Sequence, residues 1–154
     1  MCIDMKKLGF VHFALIVVLL SLLRVLLVLA GFIPPLSEMS LWNTIFFILT
    51  FIVIFAMGWR FYEDRWFDSA YKGAVTMAAA FLVVVAGLLI GRILGKQVLG
   101  LSIPTNFALF IVVVLNLLVY MLMGIVLVLV GAFFGRMFKR KKKEKAKPKG
   151  RIAG

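Results

Sequence analysis

The sequence predicts an all-α integral membrane protein built as a four-transmembrane-helix bundle. Hydrophobic residues make up 64% of the 154 residues and charged residues only 16%, whereas soluble domains have about 45–50% and 25%. The apolar residues fall in four runs, each near the roughly 20 residues that span a bilayer. The runs are solid rather than alternating, which argues against a membrane barrel. A soluble domain takes at least about 50 residues, so we expect no appended catalytic domain.

The four predicted helices follow one another through short connections. They cover residues of about 8–33, 41–59, 73–94 and 107–134. All four prolines fall outside these runs, so no span is expected to kink. A cleaved signal peptide is the alternative for the first run. The span is favoured because the run exceeds the apolar region of a signal peptide, which has about 7–15 residues.

Two regions differ sharply in charge. Residues 1–138 form the predicted transmembrane domain, and residues 139–154 form a basic tail that we expect to be disordered. The cations at the start of this tail are Lys139, Arg140, Lys141, Lys142, Lys143 and Lys145. They are expected to bind anionic lipid headgroups. Contact with nucleic acid or the ribosome is the alternative, and it is less favoured because no aromatic residue interrupts the basic run to stack on bases.

The distribution of Lys and Arg predicts the orientation. Fifteen of the eighteen lie in the N-terminal segment, the second connection and the segment from Arg136 onward, whereas two, Arg92 and Lys96, lie near the third connection. Short loops rich in Lys and Arg stay cytoplasmic. We therefore expect both termini in the cytoplasm. The expected location is the plasma membrane of a prokaryote.

Small and polar residues recur every four positions on the last two predicted helices. On the third they have the spacing of a glycine zipper: Gly87, Gly91 and Gly95. On the fourth they are Asn116, Tyr120 and Gly124. Small residues allow helices to approach closely in lipid, and polar ones hydrogen-bond between helices. The third helix is therefore predicted to make the closest helix–helix contact, within one chain or between chains.

Arg24 is the one charged residue well inside an apolar run. An Arg at a helix centre costs about 2.5–3.5 kcal/mol on insertion scales, so we expect a compensating contact. One hypothesis is neutralisation by Glu38, the single carboxylate on the predicted outer side, with Ser21 in the same network. The other is contact with an anion. The sequence alone leaves both open.

The second connection combines charges of both signs. Arg60, Asp64, Asp68 and Lys72 recur every four residues, which predicts a helical ladder of ion pairs extending the second helix. Because the cations pair these carboxylates, a metal site there is not favoured. The chain has one His and one Cys, too few for a typical zinc site. We expect neither a metal nor a cofactor.

These features predict an accessory or scaffolding membrane subunit without catalysis of its own. No Asp or Glu lies within a predicted span, while packing motifs are abundant. The expected partners are anionic lipid and other membrane subunits or further copies of the chain. The alternative is a small oligomeric transporter or channel for an anion or small solute, with Arg24, Ser21 and Asn116 lining its path.

Overall fold

The computed structural model describes residues 5–38, 40–96, 98 and 106–145. This part of the chain is helical and contains no strand. The four helices are α1 (Met5–Ala30), α2 (Leu41–Arg60), α3 (Trp66–Ile93) and α4 (Asn106–Lys145). Each is long and apolar enough to cross a membrane. The predicted class, an all-helical membrane protein with four spans, is confirmed at this level.

The ends of the helices differ from the predicted ones for local reasons. The first helix stops at Ala30 because Gly31 adopts a φ of +82°, a left-handed conformation that ends helices. The second begins at an N-cap, where the Ser40 side chain accepts a hydrogen bond from the backbone N–H of Asn43. We call the segment between them, residues 31–40, loop one.

The second connection is much shorter than predicted, and we call its residues 61–65 loop two. The helical ladder through this segment is not formed, because Arg60 ends α2 while Asp68 and Lys72 already belong to α3. Asp68 lies in the first turn of α3, where a negative charge is favourable. Asp64 nevertheless forms an ion pair with Lys72 from its position in loop two.

The fourth helix continues beyond the predicted span as far as Lys145. The helix thus includes residues 139–145, the first part of the predicted basic tail, and disorder of that tail stays a prediction. This segment consists of Lys, Arg and Glu, which are good helix formers, and cations near a helix C-terminus are favoured by its dipole. The remainder of the predicted tail, residues 146–154, lies outside the described residues.

The helices form two antiparallel hairpins that pack side by side. As a result α1 lies along α3 and α2 lies along α4, while no Cα atoms of the described residues of α1 and α4 come within 8 Å of each other. The other diagonal pair, α2 and α3, meets where Thr76 Oγ1 lies 3.9 Å from Met57 Sδ. Large apolar side chains remain exposed on the outside of every helix, among them Leu22, Phe47, Leu82 and Leu118.

Glycines of α2, α3 and α4 mediate the closest backbone contacts in the bundle, and the shortest is at Gly58 of α2, where a built Cβ atom would lie 2.2 Å from the Val128 carbonyl oxygen of α4. A Cβ atom placed on Gly124 would lie 2.4 Å from the carbonyl oxygen of Gly73 in α3. One placed on Gly131 would lie 2.3 Å from the carbonyl oxygen of Phe55 in α2. These distances exclude any side chain, so the glycines allow the backbones to meet. Such contacts matter because association in lipid depends on close van der Waals packing.

The predicted glycine row on α3 has a different role. Gly87 faces the Val25 side chain of α1, with 2.3 Å between a built Cβ and Val25 Cγ1. At Gly91 the Val98 side chain occupies the space that a Cβ atom would take. Gly95 lies beyond the end of α3 in a turn with φ +66° and has no neighbour within 4 Å of a built Cβ. It therefore does not continue the row, and the closest backbone contacts lie elsewhere, where Gly58 of α2 and Gly73 of α3 meet the backbone of α4.

Replacing Gly124 should destabilise the bundle. In Gly124→Leu the new side chain collides with the backbone of Gly73, and overpacking typically costs about 1–3 kcal/mol. Unfolding in mixed micelles with a denaturing detergent, followed by circular dichroism, measures this loss. The matched control on the same helix is Leu122→Ala, because Leu122 is 61% exposed, and we expect a change within about 0.5 kcal/mol. Equal stability of Gly124→Leu and the unmodified protein would contradict the assigned contact.

Candidate functional site

Arg24 lies in α1 about 9 Å before its end, because six residues at 1.5 Å each separate it from Ala30. Its side chain is half-buried. Nε donates a hydrogen bond to Oδ1 of Asn43 at 3.1 Å, and Nη2 donates to the Leu36 carbonyl oxygen at 3.4 Å. The cation is therefore stabilised by the dipoles of an amide and a carbonyl rather than by a carboxylate.

Asn43 connects three parts of the chain. The residue is only 5% exposed. Nδ2 donates to the carbonyl oxygens of Pro35 at 2.9 Å and Glu38 at 3.0 Å, with the Pro34 oxygen at 3.4 Å. Its Oδ1 accepts the bond from Arg24. The Asn43 amide thus hydrogen-bonds both the loop-one carbonyl oxygens and the Arg24 cation of α1. These internal partners are necessary because an apolar environment offers no water to polar groups.

Glu38 does not neutralise Arg24, in contrast to the sequence-based hypothesis. It contributes its backbone carbonyl oxygen to Asn43, while its side chain is exposed. Among the described residues the ion pairs are Lys72–Asp64 and Lys139–Glu63. The physical reason is that Asn43 holds the position beside Nε, and a carboxylate stays charged at lower cost where it remains hydrated.

A cavity of about 90 Å³ lies beside Arg24 and is lined by residues from all four helices. Ser21 shares its wall with Arg24, one helical turn away, and Tyr120 of α4 lines it as well. The Tyr120 ring packs on Phe81 of α3, with 5.0 Å between the ring centroids. The structure thus places Arg24, Ser21 and Tyr120 around one space.

Asn116 takes no part in this cavity. Its Nδ2 donates to the Val112 carbonyl oxygen at 2.8 Å within α4, so the amide is satisfied by its own helix. The polar row predicted on α4 therefore separates into three environments. Asn116 bonds locally, Tyr120 reaches the cavity, and Gly124 contacts the backbone of α3.

The opposite end of the bundle is held together by cations of α4. Arg136 donates through Nε to the Tyr62 carbonyl oxygen at 2.7 Å and through Nη2 to the Asp64 carbonyl oxygen at 2.6 Å. Its guanidinium also lies 4.0 Å from the centroid of the Trp66 ring, a favourable cation–π geometry. Lys139 pairs with Glu63 at 2.6 Å. Loop two is therefore fixed against α4.

Asn43 and Arg136 are the two residues that sequence reasoning missed as organising groups. A signal for Asn43 was present, because an amide three residues after a capping Ser in an otherwise apolar run needs internal partners. For Arg136 no local signal existed, since its acceptors are backbone carbonyls more than 70 residues away in the sequence.

Comparison of the chain with protein-family models, with curated proteins and with solved structures gave no match. The described residues also contain no group of three or more His, Cys, Asp or Glu side chains placed to hold a metal ion. The features of the described residues that bear on function are therefore the two ends of the bundle and the cavity.

Asn43 is expected to be important for stability. Asn43→Leu preserves the approximate size of the side chain but leaves Arg24 and the loop-one carbonyls without their partner. A buried polar group that loses its partner costs about 1–3 kcal/mol, which unfolding in mixed micelles would detect. The comparison variant Glu38→Gln should change stability by less than about 0.5 kcal/mol. A larger loss for Glu38→Gln than for Asn43→Leu would restore Glu38 as the partner of Arg24.

Proposed function

We propose that the protein is a non-catalytic accessory or scaffolding component of a membrane, which presents a basic helix to anionic surfaces. The observation that carries this proposal is the attachment of α4 to loop two. The helix has 40 residues, or about 60 Å at 1.5 Å per residue. The hydrocarbon core of a bilayer is only about 30 Å thick, so α4 extends well beyond it.

The extension is oriented by the bundle. Arg136 and Lys139 bind loop two, so they mark the level at which α4 leaves the other helices. Residues 140–145 then continue as helix and contain five cations and one acid. Each basic charge near an anionic leaflet contributes about 1 kcal/mol of attraction. The proposed partner of this segment is therefore the headgroup layer or an acidic surface on a neighbouring subunit.

The glycines pack within the chain, which favours a scaffold whose bundle folds without a partner protein. Gly73, Gly124 and Gly131 pack against other helices of the same chain. They are therefore not available as a glycine face for a second protein. Contact with further subunits would instead involve the large apolar side chains of the outer faces and the basic end.

A transporter for an anion or small solute is the second candidate, because Arg24 and Ser21 line the same internal cavity. Asn116 is not among the lining residues, so the path proposed from the sequence loses one of its three members. Anion flux into proteoliposomes that disappears in Arg24→Gln but not in Arg92→Gln would favour this candidate over the scaffold.

The basic extension should tether anionic vesicles. The full chain is placed in nanodiscs of neutral lipid, which expose both faces, and is mixed with vesicles containing phosphatidylserine. We expect co-flotation at low salt that is lost at high salt, because the attraction is electrostatic. Deletion after Phe138 should abolish it. So should the fourfold change Lys141→Gln, Lys142→Gln, Lys143→Gln and Lys145→Gln, which keeps the length of the helix.

The control for this experiment removes cations elsewhere. Arg65 and Arg92 are exposed and lie outside the extension. The double variant Arg65→Gln and Arg92→Gln should retain most of the co-flotation. If the truncated protein tethers vesicles as well as the full chain does, the proposed role of the basic helix is wrong.

We also propose that both termini are cytoplasmic, as the Lys and Arg distribution indicates. Cys2 is the only cysteine, so it reports on the N-terminus without further engineering. A membrane-impermeant maleimide should label it in inside-out vesicles and not in right-side-out vesicles. In a Cys2→Ser background, Glu38→Cys in loop one should show the reverse. Labelling of Cys2 from outside would overturn the orientation.

A further inference from the structure

The cavity beside Arg24 is polar at one end and mostly apolar along the rest of its length. On α2 its lining residues run from Phe46 through Thr50 to Ile54, a distance of about 12 Å along the axis. Arg24 and Ser21 lie at the end nearer loop one, and the wall beyond them is mostly apolar, including Met77 and Leu127. A cationic end followed by an apolar channel matches the shape and polarity of an amphiphile with an anionic head.

The guanidinium of Arg24 retains binding capacity. An Arg has five N–H donors, and Asn43 and Leu36 use one each at Nε and Nη2. Three N–H groups remain, which is enough for a bidentate bond to a carboxylate. No acidic residue is among those that line the cavity. The protein therefore places a cation at this space without supplying the anion.

The cavity also borders the lipid-facing surface. Phe47 and Phe51 line it, yet 47% and 38% of their surface is exposed on the outside of α2. A molecule dissolved in the bilayer could therefore enter sideways between the helices. A small hydrated anion would instead lose its water against apolar walls, which is costly.

We propose that this cavity binds a single-chain anionic amphiphile of the fatty-acid class. The carboxylate lies on Arg24 beside Ser21, the first carbons occupy the cavity, and the rest of the chain lies along Phe47 and Phe51. The volume of about 90 Å³ is below the roughly 150 Å³ that holds benzene in an engineered cavity. It therefore accommodates the start of one chain and not a two-chain lipid. This inference does not depend on the scaffold function.

Native mass spectrometry of the delipidated full chain in a non-ionic detergent tests the proposal with four probes. Palmitate should be retained. Hexadecanol has the same chain without the charge and should bind at least about tenfold more weakly, since one charge-assisted contact of about 1.4 kcal/mol corresponds to that factor. Acetate has the charge without the chain and should not be retained. Hexadecyl phosphate tests the alternative headgroup and should bind more weakly than palmitate.

Two variants and a control locate the site. In Arg24→Gln the side-chain amide keeps a hydrogen-bond donor toward Asn43, but the positive charge is removed. Palmitate retention should therefore fall to the level of hexadecanol. Ser21→Leu leaves the cation but fills the space beside it, and it should reduce retention of both long-chain probes even if Arg24→Gln does not fold. Arg92→Gln removes an exposed cation late in α3 and should leave palmitate binding unchanged.

Several results would overturn the proposal. Equal retention of palmitate and hexadecanol would show that the charge is not recognised. Strong acetate binding would indicate a small-anion site, and preference for hexadecyl phosphate would assign a different headgroup. Unchanged palmitate binding in both Arg24→Gln and Ser21→Leu would place any bound fatty acid elsewhere on the apolar surface.

Discussion

The hydrogen bond between Arg24 and Asn43 is the interaction on which the loop-one end of the bundle depends. A cation within an apolar helix requires partners that lipid does not provide. Asn43 supplies one and at the same time binds the carbonyl oxygens of Pro35 and Glu38. Loop one is therefore held by both side chains, because Leu36 also accepts a hydrogen bond from Arg24, and a different loop conformation would remove these carbonyl partners.

This arrangement extends to the second hairpin through backbone contacts. The Leu36 N–H donates to the Val98 carbonyl oxygen at 2.8 Å, and Lys96 Nζ donates to the Leu29 carbonyl oxygen. The other end of the bundle uses the same chemistry, since Arg136 also binds carbonyl oxygens rather than a carboxylate. Between the two ends, glycines bring the helices together. The resulting bundle is fixed at both ends, with the cavity beneath Arg24.

The sequence predicted the spans because apolar length is a property of each helix alone. The same property does not determine which helices meet. The spacing of Gly87, Gly91 and Gly95 indicated a packing face. The side chains of Val25 and Val98 fill the space at the first two, and the third lies past the end of α3. Gly124 was identified from its spacing, whereas its partner Gly73 could only be found from the packing of α3 on α4.

At the candidate site, too, the sequence indicated the residues but not all of their contacts. Arg24 stood out because a charge in an apolar run is rare, and Ser21 followed from helical spacing. The partner was assigned to Glu38 because opposite charges attract, a rule that holds well in water. In an apolar turn an amide that accepts one bond and donates others satisfies more groups than a carboxylate does. The proposed amphiphile site follows from this difference, since a cation bound by neutral groups keeps its positive charge available.

The central claim is that Arg24 is held by Asn43 and not by Glu38, and nuclear magnetic resonance of protein labelled with ¹⁵N-arginine tests it most directly. The side-chain Nε–H signal of Arg24, assigned by its loss in Arg24→Lys, should exchange slowly with water and show a nuclear Overhauser contact to the Asn43 side chain. It should shift strongly in Asn43→Leu and little in Glu38→Gln. An Nε–H signal that exchanges as fast as that of exposed Arg92, or that responds to Glu38→Gln and not to Asn43→Leu, would contradict the account.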